Sequence, residues 1–93
     1  MREEKYYIVI LESKNHAVQL IYILENLGYK RFRLISAPCQ IRAGCDFGIE
    51  FKNLSDLKII KNETNRLNTK IKGIYSIERK NKKKIIRKLN HLI

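Results

Sequence analysis

Two cysteines, Cys39 and Cys45, are the residues of this chain best suited to covalent chemistry. Five residues separate them, and the neighbours that shape their loop are Pro38, Arg42 and Gly44. A thiolate is a nucleophile and a metal ligand whereas a thiol hardly reacts, so the neighbouring charges decide what a cysteine does. Arg42 favours the thiolate because it is a nearby cation, and Gly44 lets the backbone approach a bound anion.

The residue types alone leave four interpretations of these cysteines open. The first is nucleophilic thiol chemistry, and the second is a reversible disulfide, although the spacing is wider than in Cys-x-x-Cys redox motifs. The third is a metal site: two cysteines supply half of a tetrahedral zinc site, and a second chain would complete it because His16 and His91 are distant in sequence. The fourth is burial of both cysteines as small hydrophobic residues.

Length and composition fit one globular domain, which we expect in the cytoplasm. The 93 residues are 44% hydrophobic, an ordinary value for a globular chain. No apolar run approaches the roughly 20 residues that a membrane span needs, so no transmembrane segment is expected. The first residues lack the features of a signal peptide. In a reducing cytosol, two cysteines are more often reactive, metal-binding or buried than joined in a permanent disulfide.

Most of the net charge of +11 belongs to a basic tail. Residues 79–88 contain seven cations and no acidic residue, whereas the other 13 basic and 9 acidic residues leave only +4. The seven cations are Arg79, Lys80, Lys82, Lys83, Lys84, Arg87 and Lys88. An anionic partner such as RNA, a membrane surface or an acidic protein would bind here. The tail has no aromatic residue to stack on bases, and solvated lysines on a packed helix are the plainer explanation.

Hydrophobic periodicity predicts an α+β fold. The expected order is strand 6–11, helix 14–27, strand 31–36, strand 46–51, a second helix after Asn53, strand 72–77 and a helix from residue 82. Ser13 is the expected N-cap of the first helix, and Gly28 is its expected left-handed end. Two strand–helix–strand passages predict a ferredoxin-like βαββαβ sandwich, with an antiparallel sheet and both helices on one face. The domain would span residues 1–78, and a basic C-terminal helical extension residues 79–93.

The sheet face without helices is expected to expose apolar side chains of the first strand. These are either Tyr6, Ile8 and Ile10 or Tyr7, Val9 and Leu11. A homodimer interface would cover such a face. The tail helix would also cover it with its apolar stripe of Ile85, Ile86, Leu89 and Leu92.

A proline at the end of a strand, then a small-residue loop and a cysteine that opens the next strand, form a recognisable motif. Here it reads Ala37-Pro-Cys-Gln-Ile-Arg-Ala-Gly-Cys45, together with Glu12-Ser13, Ala17 and Gly28. Through these residues the chain resembles a small bacterial family described as selenium/sulfur-carrier-like, over roughly residues 6–78. The chain departs from the family pattern at Asp46, where glycine is common, and in its additional Cys39. Asp46 opposes a thiolate at Cys45 through its like charge.

The resemblance implies a carrier protein without an active site of the usual kind. Cys45 would hold sulfur or selenium as a persulfide or selenosulfide, and Cys39 would act as the resolving thiol. Donor and acceptor proteins would be the partners, and no cofactor is implied. A function of a different class stays open from the residues: a non-catalytic module that binds nucleic acid or protein through the basic tail.

Overall fold

The structure of the protein is a computed structural model that describes residues 4–36 and 47–92. Their elements in chain order are β1 (Glu4–Leu11), α1 (Lys14–Asn26), β2 (Arg33–Ser36), β3 (Phe47–Phe51), a 3-10 turn (Leu54–Asp56), α2 (Leu57–Arg66), β4 (Ile71–Lys80), β5 (Lys83–Lys88) and a second 3-10 turn (Asn90–Leu92). Neither α-helix within these ranges is long and apolar enough to cross a membrane.

The five strands form one sheet in the order β2-β3-β1-β4-β5, and every neighbouring pair is antiparallel. Both helices pack on the same face, because buried residues of α1 and α2 share one cluster with β1, β3 and β4. The predicted α+β class with an antiparallel sheet is therefore confirmed. The first six regular elements also follow the predicted succession of strands and helices, and β5 is an unpredicted addition.

The core lies between the sheet and the two helices. Its largest fully buried members include Phe51 and Ile49 of β3, Leu20 and Leu24 of α1, and Ile60 of α2. Alternation along β3 directs Phe47, Ile49 and Phe51 to this side. Burying each such side chain contributes about 1.5–3 kcal/mol to the free energy of unfolding, which gives the helices their main stabilisation.

Both helices end in the same local structure. Residue 28 is glycine with φ +92°, and residue 68 is Asn68 with φ +55°. In each case the next amide donates to the carbonyl five residues earlier, the pattern of a left-handed helix end. At the start of α1, the Ser13 hydroxyl accepts from the Asn15 amide at 3.2 Å. The predicted cap and end of the first helix are therefore confirmed.

The basic tail is a strand, so the predicted C-terminal helix is wrong. Lys80 and Lys83 pair across a two-residue turn in which Asn81 and Lys82 have φ values of 52° and 65°. This geometry is that of a tight hairpin turn. The adjacent β-branched residues Ile85-Ile86 suit a strand, and pairing with β4 satisfies backbone groups that a helix would have bonded internally.

The predicted domain boundary falls inside β4, which continues from Ile71 to Lys80. Beyond it, the Leu89 amide donates to the Ile74 carbonyl at 2.7 Å, so the chain stays attached to the sheet. The division at residue 78 stays a prediction about domain organisation.

The sheet face without helices carries the side chains of Tyr6, Ile8 and Ile10, the first of the two predicted sets. It is not an exposed apolar surface: Ile8 and Ile10 are 0% exposed, and Tyr75 is 7% exposed. Two glycines flank Ile10, one on each neighbouring strand, and leave room for these side chains. The predicted covering by a tail helix is absent, since β5 extends the sheet at its edge.

Candidate functional site

The cysteine segment is closed at its base by a strand pair. Ser36 ends β2 and Phe47 begins β3, and these two residues are register partners. Cα atoms of such partners lie about 4.5–5.5 Å apart. The ten residues between them, 37–46, lie outside the described residues. The predicted site residues in that segment are Pro38, Cys39, Arg42, Gly44 and Cys45.

The N-terminus of α1 lies at the same end of the sheet as the base of the cysteine segment. Ile10 of β1 pairs with Gly48 of β3, so the C-terminal end of β1 lies beside the start of β3. The chain then enters α1 directly, and the Lys14 Nζ atom is 5.9 Å from the centroid of the Phe47 ring. A helix N-terminus carries about half a positive charge. The N-terminus of α1 and the Lys14 ammonium therefore both favour an anion at this end of the sheet.

A second polar side chain of the first turn of α1 is His16. It enters the sequence analysis only as a histidine distant from the cysteines, and in the structure it is half-buried. Its Nδ1 atom is buried and has no hydrogen-bond partner among the described residues. Buried polar atoms are normally paired, so this nitrogen is a candidate hydrogen-bonding group at this end of the sheet.

Lys14 is a functional candidate that the sequence analysis did not name, and His16 is one that it named only as a histidine distant from the cysteines. Each is a single polar residue in a helix and matches no motif. The strand order identifies them as candidates. Because α1 starts where β1 ends and β1 is the neighbour of β3, the first turn of α1 lies near the base of the cysteine segment.

The seven cations of the tail come together in the β4–β5 hairpin, and all seven residues are exposed. Cross-strand register places Arg79 and Lys84 on the face without helices, whereas Lys83 and Arg87 lie on the opposite face. β5 is an edge strand, and lysines along an edge prevent its pairing with other chains. The base of the cysteine segment adjoins β2, the opposite edge, so the structure does not bring the two predicted sites together. His91 is exposed in the last 3-10 turn.

The described ranges contain no cluster of side chains that could form a metal site by itself. Within residues 4–36 and 47–92, no three histidine, cysteine, aspartate or glutamate side chains are close enough to hold a metal ion. Both cysteines lie between these ranges, in the segment 37–46.

The comparison with protein families gives a match that includes the cysteine segment. The family model described as "Putative Se/S carrier protein-like" matches residues 6–76. That range begins in β1 and ends in β4, so it contains both helices and both cysteines but not β5. No curated protein and no solved structure matches the chain significantly. Because the family match covers more than half of the 93 residues, the chain belongs to the Se/S carrier protein-like family.

Proposed function

We propose that this protein carries sulfur or selenium on Cys45. The observation that carries the proposal is the family match, whose range contains Cys45 and the strands on both sides of it. The position of Cys45 two residues before Phe47 supports the proposal, since a loop held on a rigid strand pair is a common place for chemistry.

Loading is a thiol exchange that needs no oxidant. The Cys45 thiolate attacks the terminal sulfur of a donor persulfide R–S–SH, and the S–S bond of the donor breaks as the new S–S bond forms. The products are Cys45–S–SH and the thiolate R–S⁻, so charge and electrons balance. A selenium donor of the form R–S–SeH gives the corresponding selenosulfide.

The surroundings of the segment base favour a reactive Cys45. The positive end of α1 and the Lys14 ammonium lie at that end of the sheet, and Arg42 adds a third positive group within the segment. Asp46 acts in the opposite direction because of its negative charge. We assign Pro38 and Gly44 the role of shaping the loop.

Release uses the second cysteine. The Cys39 thiolate attacks the Cys45 sulfur, the bond to the terminal sulfur breaks, and hydrosulfide leaves while a Cys39–Cys45 disulfide forms. A dithiol reductant then restores both thiols. Direct transfer to a nucleophile of an acceptor protein bypasses Cys39 and leaves no disulfide.

The proposal extends to partners, surroundings and fold. A donor and an acceptor protein are required, and the cytoplasm suits the cycle because it keeps thiols reduced. The strand order β2-β3-β1-β4, with two helices on one face, supports a ferredoxin-like classification of the family domain. A homodimer stays a hypothesis. The apolar sheet face that suggested it is buried, so it no longer supports a dimer.

The test is mass spectrometry of the full chain isolated without reductant, before and after loading with glutathione persulfide. We expect one added sulfur, removable by dithiothreitol and mapped to Cys45 in the peptides that cover residues 34–52. Cys45→Ser should accept none. Cys39→Ser should load normally but release less hydrosulfide. The proposal is wrong if both thiols resist loading in the native protein and are alkylated only after unfolding.

A second candidate function rests on the β4–β5 hairpin, where seven exposed cations meet. In this alternative the hairpin binds RNA or an acidic protein without chemistry. Binding of single-stranded RNA would then fall steeply with salt, survive Cys45→Ser and disappear in Lys84→Gln/Lys88→Gln. The same double variant should load sulfur normally if the carrier proposal is correct, so the two functions separate.

A further inference from the structure

A pocket of about 340 Å³ lies at the end of β2 and β3 that is opposite to the cysteine segment. Four cations line it: Lys30, Arg31, Arg33 and Lys52. The acidic lining residues are Glu50 and Asp56. The cations come from the approach to β2, from β2 itself and from the residue after β3, so tertiary structure assembles this cluster.

Arg31 is held in place before any ligand arrives. Its Nε atom donates to the Asp56 Oδ2 atom at 2.9 Å, and the Asp56 side chain is only 8% exposed. The guanidinium carbon is 5.0 Å from the ring centroid of Tyr29 and 5.7 Å from that of Phe32. The terminal amino groups of Arg31 make no hydrogen bond to any described residue. This side chain therefore offers a fixed pair of donors.

The remaining charges leave the pocket positive. Arg33 is the register partner of Glu50 across β2 and β3, and Asp56 is bound by Arg31. Lys30 and Lys52 have no carboxylate within ion-pair distance among the described residues. With four cations and two carboxylates, the lining has an excess of two positive charges.

We propose that this pocket binds a phosphate group, as the free ion or as the monoester of a small molecule. The planar guanidinium matches two phosphate oxygens, and flexible lysines add point charges. A dianion matches the charge excess of two. The pocket volume is at the lower end for small-molecule sites, which suits a small phosphorylated ligand. Two carboxylates in the lining disfavour a nucleic-acid strand, whose phosphates carry one charge each and follow extended basic tracks.

The pH dependence of binding should follow the ionisation of the phosphate group and not that of the pocket. The hydrogen bond from Arg31 to Asp56 raises the pKa of the guanidinium, which is already far above neutral, so Arg31 stays charged. The second ionisation of a phosphate monoester lies near pH 6. Affinity should therefore be severalfold higher at pH 7.5 than at pH 5.5.

The experiment is an amide NMR titration of the full chain with sodium phosphate, at constant ionic strength maintained with chloride. We expect saturable shifts in residues 30–33 and 50–56. Lys30→Ala and Lys52→Ala should each weaken binding severalfold, and the exposed Lys58→Ala on α2 should not. A parallel titration with glycerol 3-phosphate distinguishes the two sources: tighter binding than the free ion indicates a monoester, and equal affinity indicates free phosphate.

Three outcomes would overturn the proposal. They are shifts that do not saturate, shifts confined to the β4–β5 hairpin, and binding that Lys30→Ala and Lys52→Ala leave unchanged. Shifts in residues 30–33 and 50–56 with single-stranded RNA, without any with phosphate or its monoester, would assign the pocket to nucleic acid instead. Cys45→Ser should bind phosphate like the parent protein. Either proposal, phosphate binding or sulfur carriage, can therefore be refuted without the other.

Discussion

At the residue scale, the contribution of Lys14 can be measured through the reactivity of Cys45. We expect Lys14→Gln to lower the rate of iodoacetamide alkylation of Cys45 at pH 7 by about two- to threefold, because a nearby cation stabilises the thiolate. The thiol pKa obtained from the pH profile of the rate should rise. Lys58→Gln is the matched control on α2 and should alkylate like the parent. If the pH profile of Lys14→Gln matched that of the parent protein, Lys14 would have no influence on the reactivity of Cys45.

Two glycines of the sheet permit a second prediction for single residues. A Cβ added at Gly48 would lie 2.8 Å from Ile8 Cγ2 and 3.0 Å from the Val9 carbonyl oxygen, whereas the three atoms nearest to one added at Gly73 all belong to the Tyr75 side chain. A backbone atom cannot move aside, but a ring can turn. Gly48→Ala should therefore lower the free energy of unfolding by about 1–3 kcal/mol.

Gly73→Ala is the matched variant for this comparison and should cost less than Gly48→Ala. Urea denaturation followed by circular dichroism measures both values. Equal costs would mean that the contacts of Ile8 and Val9 do not restrict residue 48.

At the element scale, the hairpin turn stores a conformational cost at Lys82. Its φ of 65° is one that a lysine rarely adopts, and asparagine followed by glycine is the preferred sequence of such turns. Lys82→Gly should raise the free energy of unfolding by about 0.5–1 kcal/mol. Lys84→Gly, within β5, should lower it by a similar amount because glycine weakens a strand interior. Urea midpoints that move in the same direction for both variants would contradict this assignment of the turn.

The contrast between α1 and β5 explains which elements the sequence can predict. α1 has a capping residue, Ser13, and a terminating residue, Gly28, and its apolar residues repeat at helical spacing over 13 residues. Those signals are all local. β5 has six residues, its turn lacks glycine, and Ile85 and Leu89 are spaced like one face of a helix. Its structure depends on pairing with β4, which no local pattern contains.

The residues of the candidate site also differ in whether the sequence alone can identify them. Residue type alone identifies Cys39 and Cys45 as reactive candidates. The neighbourhood of Lys14 and Phe47 depends on β1 lying beside β3, and the phosphate pocket unites residues 30–33 with residues 50–56. These placements bring distant parts of the chain together, so they can be predicted only when the strand order is known.

For the whole molecule, the C-terminal segment is hydrogen-bonded to the sheet through β4. The Ile74 carbonyl accepts from the Leu89 amide, the Ile74 amide donates to Asn90 Oδ1 at 3.1 Å, and Ile77 pairs with Ile86. Deleting residues 81–93 should therefore lower the free energy of unfolding by about 2–4 kcal/mol, since buried groups of Ile74 lose their partners.

The same deletion uncovers the edge of β4 and should promote association between chains. Urea denaturation and size-exclusion chromatography test the two effects. The control is Lys84→Gln/Lys88→Gln, which removes charge and keeps the strand. A deleted protein as stable and as monomeric as this control would show that β5 contributes nothing to the sheet.

The central position of β1 has a consequence for how the protein folds. β2 and β3 are neighbours in both sequence and sheet, as are β4 and β5, whereas β1 pairs with β3 and with β4 across long stretches of chain. Hairpins close within about 1–10 μs, and distant pairings form more slowly because a larger loop must close. On a ribosome, β1 would therefore emerge before β3 and β4 and would remain without these partners until they are synthesised. Its run of isoleucine, valine and leucine would meanwhile be the segment most in need of protection from aggregation.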